Sequence, residues 1–124
     1  MRKILEQQTL LYPMPVLIIG TYDENGKADA MNAAWGGIKD TNQIYICLSP
    51  EHKTVKNLLK TKAITVSMGT SEQVVACDYV GIASGNREEN KIEKTGWTVS
   101  KAHSVNAPIF EELPFALECE VESY

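Results

Sequence analysis

A length of 124 residues, a hydrophobic share of 44% and a charged share of 23% are ordinary for a globular protein, so we expect a single domain over residues 1–124. The net charge of -4, without any stripe of lysine and arginine, argues against nucleic acid as a partner. The longest apolar run, residues 16–19, is too short to span a membrane, and no signal-peptide core develops, so we expect a cytoplasmic protein with no membrane partner.

The first clear element along the chain is a β-hairpin, preceded by a short helix or arm. Residues 16–22 and 27–34 flank Asp23-Glu24-Asn25-Gly26, and an Asn-Gly pair is typical of tight turns with two positive φ angles. The next apolar run, residues 44–48, is rich in β-branched and aromatic side chains. It predicts a mostly buried strand.

Two short helices are predicted on either side of a strand at residues 63–68. The first follows Ser49-Pro50, because serine at an N-cap and proline at the first helical position start helices, and it should end near Lys60. The second covers residues 71–79. The pattern fades over residues 81–104, where Gly85-Asn86 and the charged run 87–91 predict a surface loop with room for one helical turn. Residues 115–124 alternate apolar and acidic side chains like a half-exposed strand. Many short strands with few short helices predict a mainly β barrel or sandwich.

The cysteines and histidines give no sign of a metal site. Cys47, Cys77 and Cys119 lie far apart, without a Cys-x-x-Cys pair, and His52 and His103 are isolated. This spacing predicts reduced, buried thiols and no bound metal. Neither a Gly-x-Gly-x-x-Gly segment after a strand nor a Walker-type loop occurs, so we expect no dedicated dinucleotide domain.

The segment Asn32-Ala33-Ala34-Trp35 is the first candidate for ligand binding. Its small side chains, followed by Gly36-Gly37, would let a planar ring lie against the backbone, while Asn32 and Trp35 offer polar groups. The residues alone leave a second interpretation open. In that interpretation Trp35 anchors the core and the two glycines form a turn.

The expected helix start between Ser49 and Asn57 is the second candidate. Free amides at a helix N-terminus bind phosphate, and Lys53 and Thr54 would add a cation and a hydroxyl. The same residues also fit an ordinary helix cap beside a solvated lysine.

Lys91 is the third candidate, because it follows a turn at Ser84-Gly85. A lysine ammonium could steady the electron-rich edge of a reduced flavin or neutralise a phosphate. The alternative is a solvated lysine in a charged loop. Cys77 is a weaker candidate, since no histidine lies near it in sequence to activate the thiol.

Taken in order, these motifs resemble the flavin reductase-like FMN-binding family, which includes flavoredoxins. No single segment is specific for this family, but the joint order and spacing of all the segments are. The matching segments cover nearly the whole chain and are Pro15-Val16, Asn32-Ala33-Ala34-Trp35, Ser49 with His52-Lys53-Thr54 and Asn57, Asp78-Tyr79-Val80-Gly81, Ser84-Gly85, Lys91-Ile92, Ala107-Pro108-Ile109 and Leu117-Glu118-Cys119.

The resemblance implies a split β-barrel, a homodimer and FMN held near the subunit interface. The implied cofactor-binding residues are Asn32, Ala33, Ala34, Trp35, Ser49, Lys53, Thr54, Asn57, Ser84 and Lys91. The segment ending at Trp35 would line the isoalloxazine and ribityl region, the helix start would hold the phosphate, and Lys91 would reach the flavin from its loop. Family members reduce flavins with a nicotinamide cofactor or pass electrons between redox proteins. NAD(P)H is therefore the implied transient donor, a small molecule or protein the implied redox partner, and no catalytic residue is assigned.

Two departures from the family pattern accompany the resemblance. Ile92 stands where an aromatic residue often follows the lysine, and family members continue well beyond Tyr124. We therefore expect that the C-terminal part of the family domain is missing, which would leave an apolar strand edge for a second chain to cover.

Three functional hypotheses follow. The first is an FMN-dependent oxidoreductase or electron carrier. The second is a non-catalytic flavin-binding or scaffold domain, inactive because its C-terminal part is missing. The third is a small β-domain that uses the same pocket for another ligand such as haem, since one fold supports many functions.

Overall fold

The computed structural model describes residues 1–124 and contains eight strands, two α-helices and one 3₁₀ helix. The mainly β architecture with short helices is the one that the sequence predicts. In chain order the elements are β1 (Leu17–Tyr22), β2 (Ala28–Ala33), β3 (Gly36–Asp40), β4 (Gln43–Ile46), α1 (Lys53–Thr61), β5 (Ala63–Met68), α2 (Val74–Ile82), the 3₁₀ helix (Glu93–Thr95), β6 (Val99–Lys101), β7 (Pro108–Phe110) and β8 (Ala116–Glu120).

The central sheet has the strand order β2-β1-β5-β8, and every neighbouring pair is antiparallel. Its side chains alternate between two hydrophobic clusters, one on each face. Ile18 packs with Cys77 and Val80 of α2. Leu17 and Ile19 pack on the opposite face with Leu58 of α1. The two faces of β1 therefore place the two helices on opposite sides of the sheet.

The predicted first hairpin is confirmed, with a different turn. Strands β1 and β2 pair from Leu17 opposite Ala33 to Tyr22 opposite Ala28. Only Gly26 has a positive φ, of 77°, whereas Asn25 does not, so the loop is longer than the tight two-residue turn that Asn-Gly suggests. The carboxylate of Asp23 stabilises it by accepting hydrogen bonds from the amides of Asn25 and Lys27 at 2.8 and 2.9 Å.

A second hairpin, β3–β4, was not predicted, and the glycines that were interpreted as a turn lie within its first strand. Gly36 pairs with Ile46, and Gly37 pairs with Tyr45. A Cβ on Gly36 would lie 2.8 Å from the Ile46 side chain, so only glycine allows this close packing. The strand expected at residues 44–48 ends at Ile46 and is partly exposed rather than mostly buried.

Both predicted helices exist, and each starts three residues later than expected. The N-cap of α1 is His52, because Ser49 and Pro50 form a preceding turn in which the His52 amide donates to the Ser49 carbonyl at 3.2 Å. In the same way a turn at residues 70–73 delays α2, so its N-cap is Gln73 instead of Ser71. Neither helix has the length and apolar character that crossing a membrane requires.

The surface loop predicted at residues 85–91 contains no helix or strand, and one helical turn, the 3₁₀ helix, follows it. The end of α2 at Ile82 and the strand β6 were not predicted in the segment where the pattern fades. Trp97, just before β6, and Phe110, at the end of β7, are buried with ring centroids 5.1 Å apart. Three-residue strands are too short for their side-chain alternation to be read from sequence.

At the other edge of the sheet, β8 pairs with β5 as the alternating C-terminal segment predicts. Cys119 and Val121 pack against the cluster on the α1 face, while Glu118 accepts hydrogen bonds from the amides of His103 and Ser104. Residues 1–16 contain no helix or strand and form an arm.

Replacing Ile18 by Ala should lower the free energy of unfolding by about 2–5 kcal/mol, because its fully buried side chain would leave a cavity in the sheet core. Ile82→Ala is the matched control, since that side chain is 76% exposed and its loss should cost less than about 0.5 kcal/mol. Urea denaturation of both variants measures the difference, and equal losses would contradict this packing.

Candidate functional site

A cavity of about 460 Å³ opens between the start of α1, strand β2 and the segment that follows α2. The wall includes Asp29 of β2, residues 51–54 and several residues between 80 and 91. Four of the predicted site residues line it together, namely Lys53, Thr54, Ser84 and Lys91. Two stretches of sequence that are 30 residues or more apart thus meet, as the resemblance implies.

The cavity lies at an open edge of the central sheet. Strand β2 is an edge strand, with α2 packed against the face that carries Ala30 and α1 near the face that carries Asp29. We call residues 83–91 the edge loop, because they pass from α2 to the Asp29 side of β2. The Asn86 side chain ties the edge loop to α1 by donating to the Glu51 carbonyl at 3.0 Å and accepting from the Lys56 ammonium at 2.9 Å.

The start of α1 has the properties of an anion site. The amides of Lys53 and Thr54 have no carbonyl acceptor, and His52 provides no side-chain cap. Thr54 is only 1% exposed, and its hydroxyl oxygen has no hydrogen-bond partner. A buried hydroxyl without a partner is costly, so its presence in a cavity wall at a helix N-terminus points to a bound anion.

Asp29 and Lys91 form a buried ion pair in the same wall. The Lys91 ammonium lies 3.4 Å from Oδ1 of Asp29, and the two side chains are 5% and 8% exposed. The second carboxylate oxygen, Oδ2, is buried and has no hydrogen-bond partner. Lys91 is therefore neither solvated nor on the surface, which excludes the alternative of an ordinary loop lysine.

Burial shifts both members of this pair toward their neutral forms. Desolvation raises the pKa of Asp29 above its ordinary value, and the nearby Lys91 opposes that rise. Desolvation likewise lowers the pKa of Lys91, and the Asp29 carboxylate opposes the fall. Each charge thus depends on the other to remain in a poorly solvated place.

Two glycines shape the cavity wall. A Cβ on Gly85 would lie 2.8–2.9 Å from the carboxyl atoms of Asp29, so the edge loop passes directly over that carboxylate. A Cβ on Gly81 would lie 2.8 Å from Cβ of Asn32, which brings the end of α2 against β2. Any larger residue at either position would have to push these elements apart.

The segment from Asn32 to Trp35 does not line this cavity. Asn32 faces α2 and donates to the Cys77 carbonyl at 3.2 Å, while Ala33 is in the core. Ala34 is exposed, and Trp35 is 58% exposed. The interpretation of Trp35 as a core anchor is therefore wrong, and its ring is open to a ligand or a second chain.

Two other predicted residues also lie outside the cavity wall. Ser49 is exposed in the turn before α1. Asn57 is 2% exposed, and its side chain donates to the Thr21 hydroxyl at 3.0 Å, which ties α1 to β1. The Asn57 side chain therefore makes a structural hydrogen bond and does not face the cavity.

Sequence reasoning missed Asp29, Arg87 and the N-cap residue His52, all of which line the cavity. Asp29 carries a usable signal, because aspartate is rare within a strand and is seldom buried without a partner. Arg87 and His52 carry none, since single charged residues in turns are common. Of the three thiols expected to be buried, Cys77 is buried, whereas Cys47 is exposed and Cys119 is only partly buried, so that expectation is wrong for these two. No group of three or more histidine, cysteine or acidic residues is close enough together to hold a metal ion.

Comparison with known proteins identifies the relatives of this chain. The model of the flavin reductase-like domain matches residues 9–124. Flavoredoxin of Desulfovibrio vulgaris (Miyazaki F) is 34% identical, with a TM-score of 0.92 over 97% of this chain. Flavoredoxin from Methanosarcina acetivorans has a TM-score of 0.83 at 22% identity over 98% of this chain, and an FMN-binding protein from Thermus thermophilus, with bound 1-cyclohex-2-enone, has 0.77 at 23% identity over 97%. The fold is the split barrel of these proteins.

The likeness covers only part of each solved protein. The chain spans 66% of the Desulfovibrio flavoredoxin, 66% of the Methanosarcina flavoredoxin and 68% of the Thermus protein. No curated protein sequence matches it at comparable significance.

The free energy of unfolding should depend on pH through the buried Asp29 carboxyl. Because its pKa is raised above the ordinary 3.8, the folded chain holds the proton more tightly than the unfolded chain. The wild type should therefore lose stability relative to Asp29→Asn as pH rises from 3.8 through the raised pKa. Urea denaturation of both proteins across that range measures the difference. A gain of wild-type stability would mean that Lys91 lowers the pKa of Asp29 by more than burial raises it.

Proposed function

The chain belongs to the flavin reductase-like domain family, and from this membership we propose that it is a flavoprotein that binds FMN and transfers electrons through it. We further propose that residues 1–124 act as one flavin-binding domain. The name of the Thermus relative, an FMN-binding protein, supports FMN as the flavin.

The observation that carries this proposal is the start of α1. FMN has a phosphate dianion, and the amides of Lys53 and Thr54, the orphaned Thr54 hydroxyl and the Lys53 ammonium together match what such a group requires. Riboflavin, which lacks the phosphate, would leave the buried hydroxyl unpaired. The residues present therefore fit FMN better than a flavin without phosphate.

The rest of the cofactor is assigned to the cavity and its surroundings. We propose that Ser84 and Lys91 contact the flavin from the edge loop, as their place in the cavity wall permits. The segment from Asn32 to Trp35 would contribute backbone and the exposed Trp35 ring to the isoalloxazine side, at a second surface beyond the cavity.

FMN, when bound, supplies the hydride and single-electron chemistry, which belongs to the cofactor. The residues of this chain bind its phosphate, orient it and hold cations beside it. We propose NAD(P)H as a transient electron donor and a small molecule or protein as the acceptor. The absence of a dinucleotide-binding motif supports a donor that visits the flavin briefly instead of occupying its own domain.

We also propose that the protein acts as a homodimer. Exposed apolar side chains lie on both faces of the β3–β4 hairpin and on the residue before it, where Trp35 is 58%, Ile38 84% and Tyr45 46% exposed. Exposed apolar patches of this kind mark contact surfaces. A second copy would cover them and could close the isoalloxazine side of the site.

A non-catalytic flavin-binding or scaffold domain is the alternative, since one fold supports many functions. One experiment separates the two. The purified protein is titrated with FMN and its absorption spectrum is followed before and after addition of NADPH or NADH. Rapid bleaching of bound FMN supports the oxidoreductase, binding without bleaching supports the scaffold, and no binding contradicts both.

Thr54→Val should weaken FMN binding about tenfold or more, because it removes a hydrogen bond to a charged group. Riboflavin binding should change little, since riboflavin has no phosphate. The variant should fold well, because valine removes an unpaired buried hydroxyl. Isothermal titration with both flavins measures the two affinities, and Thr41→Val, at an exposed turn residue, is the matched control.

Trp35→Ala gives the complementary pattern. It should weaken FMN and riboflavin equally, because both carry the isoalloxazine ring against which Trp35 is proposed to lie. Equal losses for both flavins in Thr54→Val, or no loss in Trp35→Ala, would contradict these assignments.

Ile38→Glu should shift the protein toward monomer, because it places a charge in the proposed interface. Light scattering after size exclusion should give about twice the chain mass of 13.7 kDa for the wild type and a lower value for the variant. Lys101→Glu also introduces a glutamate, at an exposed position of β6, and should leave the mass unchanged. A monomeric wild type would refute the dimer.

A further inference from the structure

The Asp29–Lys91 pair differs from the other ion pairs of the chain in being buried. The Lys60–Glu24 and Lys94–Glu88 pairs lie at the surface, with lysine side chains 59% and 53% exposed. Such exposed pairs contribute little. Asp29 and Lys91, by contrast, both lie in the wall of the cavity that we assign to FMN.

Stability alone does not account for this pair. Two buried charges cost several kcal/mol each in desolvation, and an apolar pair of similar size is often as stable or more so. The Asp29–Lys91 pair is moreover incompletely satisfied, since Oδ2 of Asp29 has no donor. The edge loop nevertheless passes so close to the carboxylate that only glycine fits at Gly85.

We infer that Asp29 is a positioning residue that holds the Lys91 ammonium, charged and oriented, in the wall of the flavin cavity. This inference rests on the proposed function. A free lysine has four rotatable bonds and a strongly hydrated ammonium, so a lysine at the end of a loop would otherwise turn toward water. The carboxylate of β2 holds it at 3.4 Å instead, and β2 is rigidly paired within the central sheet.

Asp29 is the buried anion of the cavity wall. The other ionisable groups in the wall, apart from Lys91 itself, are Glu51, His52 and Lys53 beside the start of α1 and Arg87 in the edge loop. Lys53 and Arg87 carry positive charge and Glu51 is exposed, so the Asp29 carboxylate is the buried negative charge that faces Lys91.

The first test follows Lys91 directly and needs no flavin. The side-chain methylene signals of Lys91, assigned by their loss in Lys91→Met, are titrated by NMR in the wild type and in Asp29→Asn. Asparagine has the same size and fits beside Gly85, so the change removes charge without adding bulk. Lys91 should lose its proton at a clearly lower pH in Asp29→Asn. An unchanged titration midpoint would overturn the inference.

The second test measures whether Asp29 acts on the ligand through Lys91. FMN affinity is measured from about pH 7.5 to about pH 9.5 for the wild type, Asp29→Asn, Lys91→Met and the double variant. Asp29→Asn should lose affinity about tenfold across this range as Lys91 deprotonates, while the other three proteins change less than about threefold.

The same four proteins form a double-mutant cycle at each pH. Asp29→Asn should have little further effect once Lys91 is methionine, because its role passes through that lysine. An equal loss in both backgrounds would show that Asp29 contacts the ligand by itself and would overturn the inference. Glu24→Gln, which breaks the exposed pair with Lys60, is the matched control and should behave like the wild type in both tests.

The two proposals fail separately. If the wild type binds no FMN, the proposed function is refuted, while the NMR titration still decides whether Asp29 keeps Lys91 charged. If FMN binds and the titration midpoint of Lys91 does not depend on Asp29, the positioning role alone is refuted.

Discussion

The structure depends above all on the burial of both faces of β1. Ile18 needs apolar neighbours on one face, and Leu17 and Ile19 need them on the other, so the chain must supply a covering element for each side. Helix α2 covers the first face and α1 the second. Because β2 is the edge strand beside β1, the edge loop that follows α2 meets the start of α1 across that edge. The cavity is thus a geometric result of how the core is closed.

The elements that sequence reasoning located are those with long, regular apolar patterns. Strand β5 was predicted with its observed bounds, and β1, β2 and both helices were predicted within a few residues. The β3–β4 hairpin was missed because Gly36 and Gly37 usually indicate a turn, whereas here Gly36 is required by the close approach of Ile46 and Gly37 lies beside the Tyr45 ring. Such an approach is a property of the folded chain that no local pattern records.

The candidate site was only partly accessible to sequence reasoning. Lys53 and Thr54 could be named because a helix start carries a recognisable pattern, although the true N-cap is three residues later than Ser49. Lys91 could be named from its place after the Ser84-Gly85 turn and from the family resemblance, whereas its burial and its partner Asp29 could not be foreseen from a charged segment. An ion pair between residues 62 positions apart is set by tertiary packing, so it emerges only with the fold.

The attachment of the edge loop distinguishes local loosening of this loop from global unfolding of the domain. Asn86 links the loop to α1 through two surface hydrogen bonds, and neither Asn86 nor its partners belong to the hydrophobic clusters. Those bonds can break while both clusters stay packed, and the loop is then held by the Asp29–Lys91 pair. We therefore expect amide protons in the loop to exchange through local fluctuations, at a lower free energy than the global unfolding that exposes the amides of β1.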